Sequence, residues 1–104
     1  MSISGRYERK QKMLYVIDCT DKAGHLQTRL DNRDAHLSYL EGFARQLVMA
    51  GPFLSESGDM IGSMLIMEFD TLSDVEHFCA GDPYQLADLF SSVVIRPWRK
   101  TLPA

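Results

Sequence analysis

The stretch Ile61-Gly62-Ser63-Met64-Leu65-Ile66-Met67-Glu68-Phe69 decides the fold. It has the length of a strand, and its apolar residues are not confined to one side. Ser63, Leu65, Met67 and Phe69 alternate onto one face, and Met64 and Ile66 onto the other. A segment that wants burial on both faces belongs in the middle of a sheet. Working backward, Ser55 to Gly58 reads as a turn. Gly51-Pro52 either ends a helix or sits in a short strand, Val48 to Leu54. From Arg33 to about Met49, Leu37, Leu40, Phe43, Ala44, Leu47 and Val48 recur at helical steps, with Asp31 and Asn32 as candidate N-caps. Thr20 to Gln27 is polar and broken by Gly24, and before it Met13 to Cys19 is a β-branched and aromatic strand.

Working forward, Thr71-Leu72-Ser73-Asp74 has the capping-box pattern of a hydroxyl followed three residues later by an acid. It predicts a helix through Cys79, stopped by Gly81, with Leu72, Val75, Phe78 and Cys79 buried. Asp82-Pro83 predicts a short restart, because Asp caps well and Pro suits the first turn. Phe90 to Ile95 reads as the last strand, interrupted by Pro97. The order β-α-β-β-α-β predicts an α+β, ferredoxin-like sandwich: a four-stranded antiparallel sheet with two helices on one face. The other face would be bare in a monomer. A homodimer pairing sheet against sheet, a dimeric α/β barrel, is the expected solution.

The chain has 104 residues, 45% of them hydrophobic and 24% charged. That composition fits one ordinary globular domain and disfavours disorder or a disulfide scaffold. No apolar run approaches a membrane span, and the basic start lacks the apolar stretch of a signal peptide, so a cytoplasmic protein is expected. The net charge of −3 hides a segregation: residues 1–12 carry +3, residues 96–104 carry +3, and residues 13–95 carry −9. An acidic body with basic ends does not suit nucleic acid. Strands 1 and 4 as antiparallel neighbours would bring the two basic ends together. Cys19 and Cys79 fit no metal spacing, no His-x-Glu-x-x-His, Cys-x-x-Cys or carboxylate cluster appears, and the glycines form neither a dinucleotide fingerprint nor a P-loop. Neither a metal nor a cofactor is expected.

Several short segments together resemble one family. They are Met13-Leu-Tyr-Val-Ile17, Arg33-Asp-Ala-His36-Leu37, Ala50-Gly-Pro52, Gly62-Ser63, Asp82-Pro-Tyr84 and Val94-Ile-Arg-Pro-Trp98. In order and spacing the chain resembles the YciI-like (YCII-related) family over residues 13–101, leaving a basic leader, 1–12, and a short tail, 102–104. The resemblance implies a dimeric α/β barrel with an active site built from His36 and Asp82. One branch of the family removes chloride from a chlorinated hydroxyhydroquinone, and the wider barrel group includes muconolactone isomerases. The sequence departs from the family pattern in its longer leader, in Asp88 where a glycine is usual, and in a short loop from Phe53 to Ile61. The last two are expected to reshape the pocket wall.

The chemistry of these residues agrees with such a site. His36 shares the stripe of Leu40, Phe43 and Leu47, and an ionised Asp82 would hold its ring in one tautomer and favour the imidazolium once formed. A histidine on an apolar stripe is also a common core residue, and Asp before Pro a common cap. Arg33, one turn before His36, is placed to hold an anionic substrate, Ser63 to bind substrate, and Tyr84 to donate a phenol hydrogen bond. His25 and His77 read as surface residues. Two functions follow. One is a cofactor-independent lyase or isomerase using His36 and Asp82 as a general-base dyad on a small hydroxylated compound, aromatic ones included. The other is a non-catalytic dimeric module for a small ligand or protein partner.

Overall fold

The computed structural model describes residues 13–104, so the basic leader and its convergence with the C-terminal cations lie outside the described residues. The elements are β1 (Met13–Asp21), α1 (Leu26–Asp31), α2 (Arg33–Glu41), β2 (Leu47–Leu54), β3 (Met60–Phe69), α3 (Leu72–Gly81), α4 (Pro83–Leu86) and β4 (Phe90–Trp98). They form a four-stranded antiparallel sheet in the order β2-β3-β1-β4, the ferredoxin-like arrangement that the pattern predicts. Leu14 pairs with Trp98, so β1 starts where β4 ends.

The double-sided apolar strand is central, paired with β1 on one edge and β2 on the other. Ser63, Leu65, Met67 and Phe69 all point toward the helices and are buried. Leu65, Met67 and Phe69 join Tyr15, Ile17 and Cys19 of β1, Leu40 of α2, and Val75 and Phe78 of α3 in the core. Gly62 is required by the sheet, because a Cβ there would collide with the carbonyl oxygen of Cys19 on β1. On the opposite face Met49, Phe53, Val94 and Trp98 stay exposed.

Three expectations are corrected. The helix read to Met49 ends at Glu41: residues 42–46 form tight turns, with Phe43 N–H bonded to Leu40 and Gln46 N–H to Phe43. Leu47–Leu54 is then an edge strand, the alternative that Gly51-Pro52 left open, and Pro52 is tolerated because β2 has only one neighbour. The helical spacing persists beyond Glu41 because Phe43 and Leu47 still pack against the core. Second, part of the polar stretch is helical, as α1. Asp31 ends it, accepting from Gln27, and Asn32 bonds back to the Thr28 carbonyl instead of capping α2. Third, Leu72 is exposed rather than buried, and Gly81 is the last helical residue rather than the stop. Pro83 ends α3 by pushing Asp82 to ψ 126°. Gly81 itself is needed because a Cβ would sit 2.6 Å from the Tyr39 hydroxyl, which donates to Phe78 O. Thr71 does cap α3, accepting from Asp74 N–H at 3.1 Å. β4 runs through Pro97, opposite Tyr15, as an edge strand allows.

Candidate active site

His36 lies on the buried side of α2, and Asp82 sits in the junction between α3 and α4. The junction is dictated locally. Pro83 fixes the first turn of α4, and Asp82 caps it, its Oδ1 accepting from Tyr84 N–H at 2.9 Å. The same oxygen lies 2.8 Å from His36 Nδ1. A carboxylate oxygen that already accepts a backbone N–H is an acceptor toward the ring as well, so Nδ1 carries the hydrogen, and in the neutral ring Nε2 is the nitrogen with the lone pair. The Tyr84 ring stacks on the imidazole, with centroids 3.9 Å apart and planes at 14°. The pair is therefore held by a hydrogen bond at its edge and an aromatic plate on its face.

A second buried pair adjoins the first, and sequence reasoning missed it. Arg29 of α1 donates from Nε and Nη2 to the two carboxylate oxygens of Asp21, at 2.7 and 2.9 Å, and both side chains are almost wholly buried. Nη2 also donates to Ser63 Oγ at 2.9 Å, and the guanidinium lies 4.6 Å from the centre of the Tyr84 ring. Burial works against the charge on Arg29, but the hydrogen bonds and charge of Asp21 outweigh it and hold the guanidinium above its ordinary value. Burial likewise raises the Tyr84 hydroxyl, with Arg29 and Arg33 pulling it partly back. Asp21 ends β1 and Arg29 sits mid-way along a polar helix, so neither lies on an apolar stripe. The only signal was the four-residue spacing of Leu26 and Leu30, which marks the stretch as helical.

These groups surround one cavity of about 160 Å³, lined by the polar residues Arg29, Arg33, His36, Ser63 and Tyr84. Leu37, Leu40, Pro52 and Leu65 supply apolar wall. Of the residues singled out in the sequence, His36, Arg33, Ser63 and Tyr84 thus meet on the cavity, while Asp82 stands behind the imidazole. Arg33 is exposed at the rim and, among the described residues, has no carboxylate within ion-pair distance. Asp88 does not line the cavity, contrary to expectation. It sits at φ +59° after α4 and pairs with Lys22 at 2.6 Å. Leu89 N–H reaches Tyr84 O and Asp88 N–H reaches Gln85 O, the double bond of a Schellman end, where glycine is the usual residue. Of the short loop, only Met60 at its β3 end reaches the cavity.

Other groups are less suited to chemistry. Burial pushes both thiols up, Cys19 strongly and Cys79 to about 11, so neither is a thiolate at neutral pH. A larger hollow of about 390 Å³, floored by Phe43, Phe69 and Phe78 and rimmed by Asp70, Asp74 and His77, contains no paired buried groups. Among the described residues no group of His, Cys, Asp and Glu is arranged to hold a metal ion, and no helix is long and apolar enough to cross a membrane.

Comparison with known proteins gives a consistent neighbourhood. The model of the YCII-related domain matches residues 13–99. Protein YciI of Escherichia coli is 36% identical over 96 residues, covering 85% of this chain and 98% of that protein. An uncharacterized Haemophilus influenzae protein is 33% identical over 97 residues, covering 85% and 98%. Among solved structures, 5-chloro-2-hydroxyhydroquinone dehydrochlorinase (TftG) of Burkholderia phenoliruptrix, in complex with 2,5-dihydroxybenzoquinone, superposes with a TM-score of 0.83. It is 37% identical and covers 86% of this chain and 96% of its own.

Proposed function

The chain belongs to the YCII-related family, and from that premise we propose that it is a cytoplasmic, cofactor-independent enzyme of the lyase or isomerase type. His36 is its general base, oriented by Asp82, and its substrate is a small hydroxylated ring compound. The observation that carries this reading is the buried Asp82–His36 hydrogen bond with the imidazole on a cavity wall. With Nδ1 engaged, Nε2 is the nitrogen that takes a hydroxyl proton, and Asp82 stabilises the imidazolium that results. Arg33 attracts an anionic substrate at the rim, while Ser63 and Tyr84 contact it inside. The similarity to a dehydrochlorinase supports elimination as the reaction. On a chlorinated hydroxyhydroquinone, His36 moves a ring-hydroxyl proton to the carbon bearing the halogen. Chloride then leaves with the electrons of its bond as a second hydroxyl loses its proton, for a net loss of HCl.

The exposed Met49, Phe53, Val94 and Trp98 support a homodimer joined through the open sheet face. The test is chloride release from 5-chloro-2-hydroxyhydroquinone by the wild-type protein and by His36→Ala. A loss of two or more decades in the variant, with the dimer intact by light scattering, is expected. Full activity in the variant refutes the base. A variant that only melts earlier, from a wild type with no turnover, points instead to a ligand-binding module in which His36 and Asp82 tie α2 to α4.

A further inference from the structure

Ser63 presents an unusual hydrogen-bonding state. Its side chain is buried at 4% exposure on the cavity wall, and its Oγ accepts from Arg29 Nη2 at 2.9 Å. Arg29 is itself locked: both oxygens of Asp21 fix its fork, and the Tyr84 ring lies against its face. The guanidinium has no acceptor capacity, so at this contact Ser63 can only receive. Among the described residues nothing accepts the Ser63 hydroxyl hydrogen. A buried donor without a partner is costly, and it is satisfied by whatever fills the cavity.

We propose that Arg29 is a positioning residue that commits the Ser63 hydroxyl to donate. The cavity then selects a ligand presenting an acceptor oxygen, a carbonyl or an oxyanion, to Ser63 and a hydroxyl to His36. This rests on the reading of His36 as the base and deepens it by naming the substrate class: a ring compound with a hydroxyl and a second oxygen that gains carbonyl or anionic character as the proton leaves. Arg29 polarises the donor, so the Ser63 hydrogen bond strengthens where that charge develops. Arg29 needs no contact with the substrate for this. Asp21 fixes the guanidinium in place, and Ser63 transmits its charge.

The experiment is calorimetric titration with two probes of the same ring size. In 2,5-dihydroxybenzoquinone there are carbonyl acceptors beside hydroxyls, whereas hydroquinone has hydroxyls only. Wild type is expected to favour the quinone, and Ser63→Ala to lose about 10-fold or more of quinone affinity with a clearly smaller loss for hydroquinone, whose phenol oxygens are weaker acceptors. Arg29→Lys, which keeps the charge beside Asp21 but not the fork, is expected to reduce the same preference while circular dichroism remains native. A merely structural role would weaken both probes together. An unchanged quinone-to-hydroquinone ratio in Ser63→Ala overturns this inference alone and leaves His36 as the base untouched. Failure of wild type to bind either probe overturns both readings.

Discussion

Asp21→Ala isolates the energetics beneath the cavity. Asp21 and Arg29 are 5% and 3% exposed, joined by two charge-assisted hydrogen bonds of 2.7 and 2.9 Å. Removing the carboxylate strands a guanidinium left with neutral neighbours, Ser63 Oγ and the Tyr84 side chain. Breaking a buried pair from one side costs about 3–5 kcal/mol, because the other charge stays dehydrated. For a domain of this size that corresponds to a melting temperature lower by about 12 °C or more. Asp21→Ala/Arg29→Met removes both charges and fills the space with an apolar chain. It is expected to recover more than half of the loss, giving a coupling of at least about 2 kcal/mol. The assay is urea denaturation of all four proteins of the cycle at one protein concentration, with the slope checked for constancy. A single-variant cost below about 1 kcal/mol, the range of an exposed pair, would refute the argument. So would a double variant as unstable as the sum of the singles.

Three further outcomes follow from local geometry. Gly62→Ala drives a methyl into the Cys19 carbonyl across the β1–β3 ladder, and is expected to cost about 2 kcal/mol in the same urea assay. At Asp88, φ +59° suits glycine. Asp88→Gly is expected to change stability by less than about 0.5 kcal/mol, and Asp88→Ala to lower it by about 1 kcal/mol, by thermal melting. Cys79, raised to about 11 by burial first and by Asp82 next, should alkylate with iodoacetamide at pH 8 about a hundredfold more slowly than a cysteine at its ordinary value. Deprotonation is easier in the unfolded chain, so the stability this thiol contributes is intact below about pH 9 and is lost as pH rises toward 11.

The sheet was legible because burial writes itself into alternation. Met13–Asp21 and Met60–Phe69 carry their partners' demands in their own residues, and the capping patterns at Thr71 and Asp82 are purely local. The end of α2 was not legible: Phe43 and Leu47 keep a helical spacing for reasons of packing, and tertiary contact overrides the local pattern. His36 and Asp82 entered through the family resemblance and a stripe position. Their hydrogen bond spans 46 residues, a distance that no local pattern reaches. Arg29 and Asp21 were hidden for a different reason. A buried ion pair looks in sequence like two surface charges, and only the fold reveals that α1 folds its arginine under Ser63. Gly62 and Gly81 are each fixed by an atom on a distant element, so their necessity also appears only in three dimensions.

Asp82 Oδ1 serves two masters, the first turn of α4 and the imidazole of His36. That sharing has a genealogical consequence. Selection on the fold alone would keep the aspartate, because losing it would remove the cap of the helix that presents Tyr84. Retention of Asp82 among relatives therefore records architecture whatever the chemistry, and His36, which caps no helix, is the member of the pair whose retention bears on the proposed dyad.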